Sequence, residues 1–231
     1  MRLRIRASAR FPMEGPDWPR KLLIGGATGL LLELVFVGLA YLLSEEAAFG
    51  IAPLAVIVNL PAVGYLLAVY EGTLRWEVVS LPEWDDWPRL FFGGFVGFGI
   101  ALAYGLAPLV LVLFGLGLLV KGGIILFLGM VLMVLGVLAG VFTLFFLPMA
   151  LARYLAHRRL EAAFHPGTLW EGINSILAEY VATYVLCVGL NIAGGMFAAI
   201  PYLGALAWPF VWFYLLLVQV RLFGEICAKA V

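Results

Sequence analysis

Charge is scarce in this chain. Of its 231 residues 12% are Asp, Glu, Lys or Arg, 14 acidic against 14 basic, so the formal net charge at pH 7 is zero. A soluble domain carries about a quarter charged residues. Zero net charge removes the broad basic surface by which a protein holds nucleic acid, and no nucleic-acid partner is expected. Cysteine is nearly absent. Cys187 and Cys227 are too few and too far apart to frame a metal site or a disulfide network, and both read as small hydrophobes. Histidine is as rare. His157 and His165 lack the i, i+4 spacing that sets two imidazoles on one metal, and they fall in a basic loop. There is no Gly-x-Ser-x-Gly elbow and no His-Glu-x-x-His pair. These absences leave no catalytic residue, metal or cofactor to expect, and the chain is not expected to be an enzyme.

What the chain has is apolar length. It is 65% hydrophobic with a mean hydropathy of +1.09. No soluble core buries that fraction, so its solvent is lipid. Six runs are long enough to cross a hydrocarbon core of about 30 Å as helices: roughly 22–43, 53–70, 91–115, 124–150, 173–200 and 205–222. The first is too long for the apolar region of a secretory signal, about 7–15 residues, and reads as a retained helix. Pro61, with Asn59 beside it, interrupts the short second run, and Pro108 gives the third a reason to kink. In lipid the backbone must satisfy itself, which makes these runs helices rather than strands.

The connections between runs alternate in charge. Residues 1–21 hold Arg2, Arg4, Arg6, Arg10, Arg20 and Lys21. The loop near 71–90 holds Arg75 and Arg89, the loop near 153–172 holds Arg153, Arg158 and Arg159, and the tail holds Arg221 and Lys229. On the other side the loop near 44–52 holds Glu45 and Glu46, and Lys121 is the sole cation. The positive-inside rule then places both termini in the cytoplasm, with the protein in the inner membrane.

The long connections share that basic side, and two of them repeat. Asp17-Trp18-Pro19-Arg20 leads into Gly25-Gly26, and Asp86-Trp87-Pro88-Arg89 leads into Gly93-Gly94. The expected architecture is all-α: six transmembrane helices in a single domain over 1–231. They form three pseudo-repeated hairpins (about 11–70, 80–150 and 164–222) with cytoplasmic interfacial segments, behind a basic tail at 1–10. Ser80-x-x-Glu83 and Thr168-x-x-Glu171 match the capping box that opens a helix. Gly25-x-x-x-Gly29 and Gly93-x-x-x-Gly97 open spans one and three, and are expected to pack against each other across a pseudo-symmetry axis.

Phe11-Pro12, Asp17-Trp18, Leu22-Leu23-Ile24-Gly25-Gly26, Gly64-Tyr65, Leu81-Pro82-Glu83-Trp84-Asp85-Asp86-Trp87 and Phe91-Phe92-Gly93-Gly94 together resemble an uncharacterised prokaryotic family of polytopic membrane proteins, a domain of unknown function. The Leu-Pro-Glu-Trp-Asp-Asp-Trp string is the specific part, and the motifs cover about the first 95 residues. That family is distantly similar to the membrane domain fused to some glycerophosphodiester phosphodiesterases. The resemblance implies a membrane location and a multi-helix fold, and it brings no reaction.

Two sets of residues stand out as candidates. Glu33 is the one ionisable group near the middle of a span, where a charge costs about 2.5–3.5 kcal/mol on insertion scales. Asn191, Tyr184 and Tyr104 fall at similar depth and are expected to share an intramembrane polar site with it, with Tyr214 as a further donor. The second set is interfacial: Trp18, Arg20, Trp84, Trp87, Arg89 and Trp170, expected to meet lipid headgroups or a partner protein. The acidic run Glu83, Asp85, Asp86 is assigned to capping a helix start. The function expected is that of a non-catalytic accessory, scaffold or assembly subunit among membrane lipids, with other subunits or copies of itself as partners. Aromatic span six, with Phe210, Trp212, Phe213 and Tyr214, offers a contact surface. The alternative is a small transporter or channel component using Glu33.

Overall fold

The computed structural model describes the chain except residues 1–4, 16, 43–44, 78–79 and 201–202; for 5, 32–33, 35–42, 45–55, 203 and 205 it describes the backbone alone. Among the described residues the fold is all-α, without strands. Its helices are α1 (Ile5–Arg10), α2 (Trp18–Leu42), α3 (Glu45–Leu74), α4 (Trp87–Leu119), α5 (Gly123–His157), α6 (Pro166–Ser175), α7 (Leu177–Ala198) and α8 (Leu203–Cys227). Short 3-10 turns at Phe11–Met13 and Leu160–Phe164 complete the set. Among the described residues five stretches are long and apolar enough to cross a membrane: Val56–Leu74, Trp87–Leu119, Gly123–His157, Leu177–Ala198 and Leu206–Cys227. Half of the side chains of the remaining expected span, 22–43 in α2, lie outside the described residues.

Several boundaries differ from the sequence reading. The loop expected near 44–52 is helical from Glu45 onward. With 33 and 35 residues, α4 and α5 run for roughly 50 Å at 1.5 Å per residue, well beyond a hydrocarbon core of about 30 Å. The expected capping boxes do not form. Residues 80–86 are irregular, and the helix begins at Trp87 with Asp86 as its cap: Asp86 Oδ1 accepts the Arg89 N–H at 3.1 Å. Glu83 is drawn away to Lys21, at 2.5 Å. In α6, Thr168 lies inside the first turn and its hydroxyl donates to the His165 carbonyl at 3.1 Å. A proline already at the first helical position sets the start three residues earlier than the box requires.

The chain divides into two compact units, residues 1–97 with 172–231, and residues 98–171. In the first, α2, α3 and α8 pack on one another and α7 packs on α8. The expected pairing of the two glycine motifs is not what is seen. Gly25 and Gly26 admit the rings of Phe213 and Phe210 of α8, and Gly29 lies under Pro209. Gly94 meets the backbone of α3, where a Cβ would overlap the Leu60 carbonyl; Gly64 of α3 in turn meets the Leu90 carbonyl of α4. The spacing therefore marks close approach correctly, but each motif serves a different neighbour, because each helix start faces whichever helix the bundle sets beside it.

The second unit is a helical hairpin with a cap. Gly115 of α4 and Gly129 of α5 face each other, and Gly136 faces Val112. The turn between the helices uses Gly122 at φ 72° and Gly123 at φ 58°, left-handed values that a side chain would strain. After α5 the chain folds back through Leu160–Phe164, and the Tyr104 hydroxyl fastens that turn by donating to the Ala163 carbonyl at 2.6 Å. Large apolar side chains such as Leu106, Leu113, Phe114, Phe127, Val134, Leu138 and Phe142 stay exposed along both helices, as lipid-facing residues do.

Candidate functional site

The densest cluster of chemistry in the first unit lies at the ends of α2, α3 and α8, where the irregular segment 80–86 crosses them as a strap. Three side chains hold it. The Tyr65 hydroxyl of α3 donates to the Pro82 carbonyl at 2.8 Å. The Lys21 ammonium of α2 donates to the Leu81 carbonyl at 2.8 Å and meets the Glu83 carboxylate. Trp84 turns inward and donates its Nε1–H to the Lys21 carbonyl at 3.2 Å. Its indole lies flat on Tyr65, with 4.1 Å between centroids and 5° between planes. Phe213 of α8 closes the aromatic group, 6.1 Å from Tyr65 and 6.2 Å from Trp84. The N-terminal turn is pinned beside it: Phe11 is buried under the Arg221 guanidinium at 4.7 Å, and the Tyr214 hydroxyl donates to the Ala9 carbonyl at 2.5 Å.

This corrects the expectation for Trp84. Only 8% of it is exposed, so it meets neither lipid nor a partner; a stacking tyrosine and the Lys21 carbonyl beneath the strap give its ring and its N–H better partners than a headgroup layer offers. The other interfacial candidates stay outside. Trp87, Trp170, Arg20 and Arg89 are exposed and Trp18 is half-buried. Phe146 of α5 lies 6.4 Å from Trp170 within the second unit.

Beside the strap is a cavity of about 440 Å³ lined by Glu71, Arg75, Glu77, Glu83, Asp85, Asp86 and Arg89 together with backbone and apolar atoms. Much of its charge is already committed. Glu71 pairs with Arg75 at 2.8 Å, Glu83 with Lys21, and Asp86 caps α4. Among the described residues no three His, Cys, Asp or Glu side chains converge as metal ligands. The arrangement supports a folded strap, and it holds no nucleophile next to a base.

Among the described residues the intramembrane candidates each have partners of their own. Tyr104 belongs to the second unit and is spent on Ala163 and on stacking with Phe164 at 5.7 Å. Asn191 and Tyr184 both lie on α7. Asn191 binds back to the Cys187 carbonyl at 2.8 Å and exchanges amide hydrogen bonds with Gln219 of α8, at 3.2 and 3.4 Å. Tyr184 sits edge-on to Phe223 at 6.5 Å. Glu33 lies in α2, and its side chain is outside the described residues. Gln219 was legible as a polar residue within the last apolar run. Lys21 and Tyr65 gave less signal, since a lysine at a span end and a tyrosine after a glycine are ordinary features of membrane helices.

Residues 47–203, more than half of the chain, match a family described as protein of unknown function (DUF4013). The chain belongs to the DUF4013 family. The matched region takes in Tyr65 and the whole 80–86 strap, and stops short of Lys21 on one side and Phe213 on the other. The DUF4013 description assigns no activity. No curated protein and no solved structure matches the chain.

Proposed function

We propose that this DUF4013 protein is a non-catalytic subunit or scaffold of a larger membrane assembly, formed with other membrane proteins or with copies of itself. The Asn191–Gln219 pair carries the reading. The two amides meet each other at the surface of α7 and α8, inside both spans, with Asn191 exposed and Gln219 half-buried. Both Asn191 N–H groups are taken, by the Cys187 carbonyl and by Gln219, but one Gln219 N–H and a lone pair on each amide oxygen are left unmet among the described residues; hydrocarbon cannot satisfy them, and polar side chains within spans are what draw membrane helices together. A polar side chain from a neighbouring helix completes them.

The proposal includes α2 as a sixth span, both termini in the cytoplasm and an inner-membrane location; the one-sided distribution of Lys and Arg supports it. The doubled Asp-Trp-Pro-Arg supports a hairpin pseudo-repeat, with Trp18, Trp87 and Trp170 at the headgroup level in contact with lipid or a neighbour. Similarity to the membrane domain fused to some phosphodiesterases fits a support role without supplying a reaction.

The test is mass after gentle extraction from the native membrane. The expected particle is several times the 25.2 kDa protomer once detergent is subtracted, and the Asn191→Leu, Gln219→Leu double variant is expected to fall to the protomer mass while melting as the parent does. A parent that leaves the membrane as a lone protomer overturns the proposal.

A further inference from the structure

The second unit holds a separate cavity of about 300 Å³, where α5 ends and α6 begins. Arg153, His157, Arg159, Glu161, His165 and Thr168 line it. The local backbone is built to collect these groups. Arg158 takes the left-handed conformation at φ 54° and stops α5, its N–H donating to the Tyr154 carbonyl at 2.7 Å. The chain then reverses through Leu160–Phe164 and enters α6 at Pro166. The reversal packs the Leu160–Phe164 turn on α5 and brings Arg153 and His157 of one helix and Thr168 of the next to the same cavity.

Four features of the lining point to an anion. The Nε of Arg153 is buried and has no hydrogen-bond partner among the described residues, and a buried cationic donor left unmet is costly. Arg159 adds a second guanidinium, held only by an exposed pair with Glu161 at 3.1 Å. Both imidazoles are fixed by backbone carbonyls, His157 Nδ1 by Arg153 O at 3.0 Å and His165 Nδ1 by Glu161 O at 2.6 Å. A carbonyl only accepts, so Nδ1 carries the proton in each ring, and Nε2 offers a lone pair to a protonated phosphate oxygen or, in the imidazolium, a second N–H. Finally, the first hydrogen bond of α6 runs from Leu169 N–H to the His165 carbonyl. The amide of Thr168, which lines the cavity at the positive end of the helix, precedes it and has no intrahelical acceptor.

We propose that this cavity binds a phosphate group, with Arg153 and Arg159 as its principal donors and Glu161 as the internal counter-ion the phosphate displaces. The geometry suits a tetrahedral oxyanion because donors reach it from two helices and the turn between them. The cavity opens where α5 leaves its apolar span, so the phosphate arrives either on an anionic lipid headgroup or as a free ion.

The test uses the full chain in phosphatidylcholine nanodiscs, with inorganic phosphate as one probe and nanodiscs containing phosphatidic acid as the other. Binding is read as a rise in melting temperature and as a calorimetric titration. A response to inorganic phosphate assigns a soluble source. A response to phosphatidic acid that inorganic phosphate does not compete away assigns a lipid source. In either case Arg153→Gln and Arg159→Gln are expected to weaken binding about tenfold or more, and Arg75→Gln, which lies in the other unit, is expected to leave it unchanged. Arg159 is exposed, so its variant folds even if Arg153→Gln does not. Absence of a response to both probes, or Arg159→Gln binding as the parent does, overturns the proposal.

Discussion

Trp84 and Trp87 stand three residues apart, 5.6 Å between ring centroids, and do different work. One stacks on Tyr65 inside the bundle; the other is 45% exposed at the first position of α4. Replacing a buried tryptophan by alanine costs about 3–5 kcal/mol. Trp84→Ala is expected to fall in that range by equilibrium unfolding in detergent, and Trp87→Ala to cost about 1 kcal/mol or less; equal losses would contradict the assignment of the two rings. The sequence could not tell them apart. A tryptophan near a span end has the same neighbours in the string whether it faces headgroups or a folded strap, and only the meeting of α2, α3 and α8 decides. The same holds for Lys21, whose ammonium reads as one more interfacial cation until the Leu81 carbonyl and Glu83 are found over it.

Among the elements, helix contacts are set by where glycine lets backbones touch. The sequence pointed to Gly93 and Gly97 on α4; the closest backbone approach falls at Gly94 and, on α3, at Gly64, where α3 crosses the first turns of α4. Gly99 and Gly105, also on α4, have open space where a Cβ would stand. Gly64→Ala and Gly94→Ala are each expected to lose about 1–3 kcal/mol through backbone overlap. Gly99→Ala and Gly105→Ala are expected to be neutral or to gain up to about 1 kcal/mol, since alanine is the better helix former. Melting the four variants side by side in one detergent checks the ordering. Helix existence was legible throughout, because apolar runs of this length have no other stable form in lipid. Helix ends were not, since α4 and α5 continue past their apolar stretches on hydrogen bonding and packing that hydropathy does not register.

For the whole molecule, the long α5 fixes a relation between distant residues. Lys121 precedes it and Arg159 follows it, and its length and composition suit one membrane crossing. In the otherwise unchanged protein, whose Cys187 and Cys227 are buried, Lys121→Cys and Arg159→Cys are expected to label from opposite sides in sealed vesicles with an impermeant maleimide. Labelling of both from one side would remove that span. The sequence read this sidedness from the uneven placement of arginine and lysine. It gave no view of the division into two units, because that depends on which helix faces find each other and which stay in lipid.

The strap has a consequence for the order in which the protein is made. Its aromatic seat needs Phe213, and the N-terminal turn is tied down by Tyr214 and Arg221, the Tyr214 bond joining residues 205 positions apart. While the ribosome is still producing α4 to α7, both early segments are without their final neighbours. The last helix to emerge is the one that locks the first part of the chain in place, so in a nascent protein lacking α8 the stacked Trp84 and Tyr65 are open to whatever insertion machinery attends them on the side that Phe213 later covers.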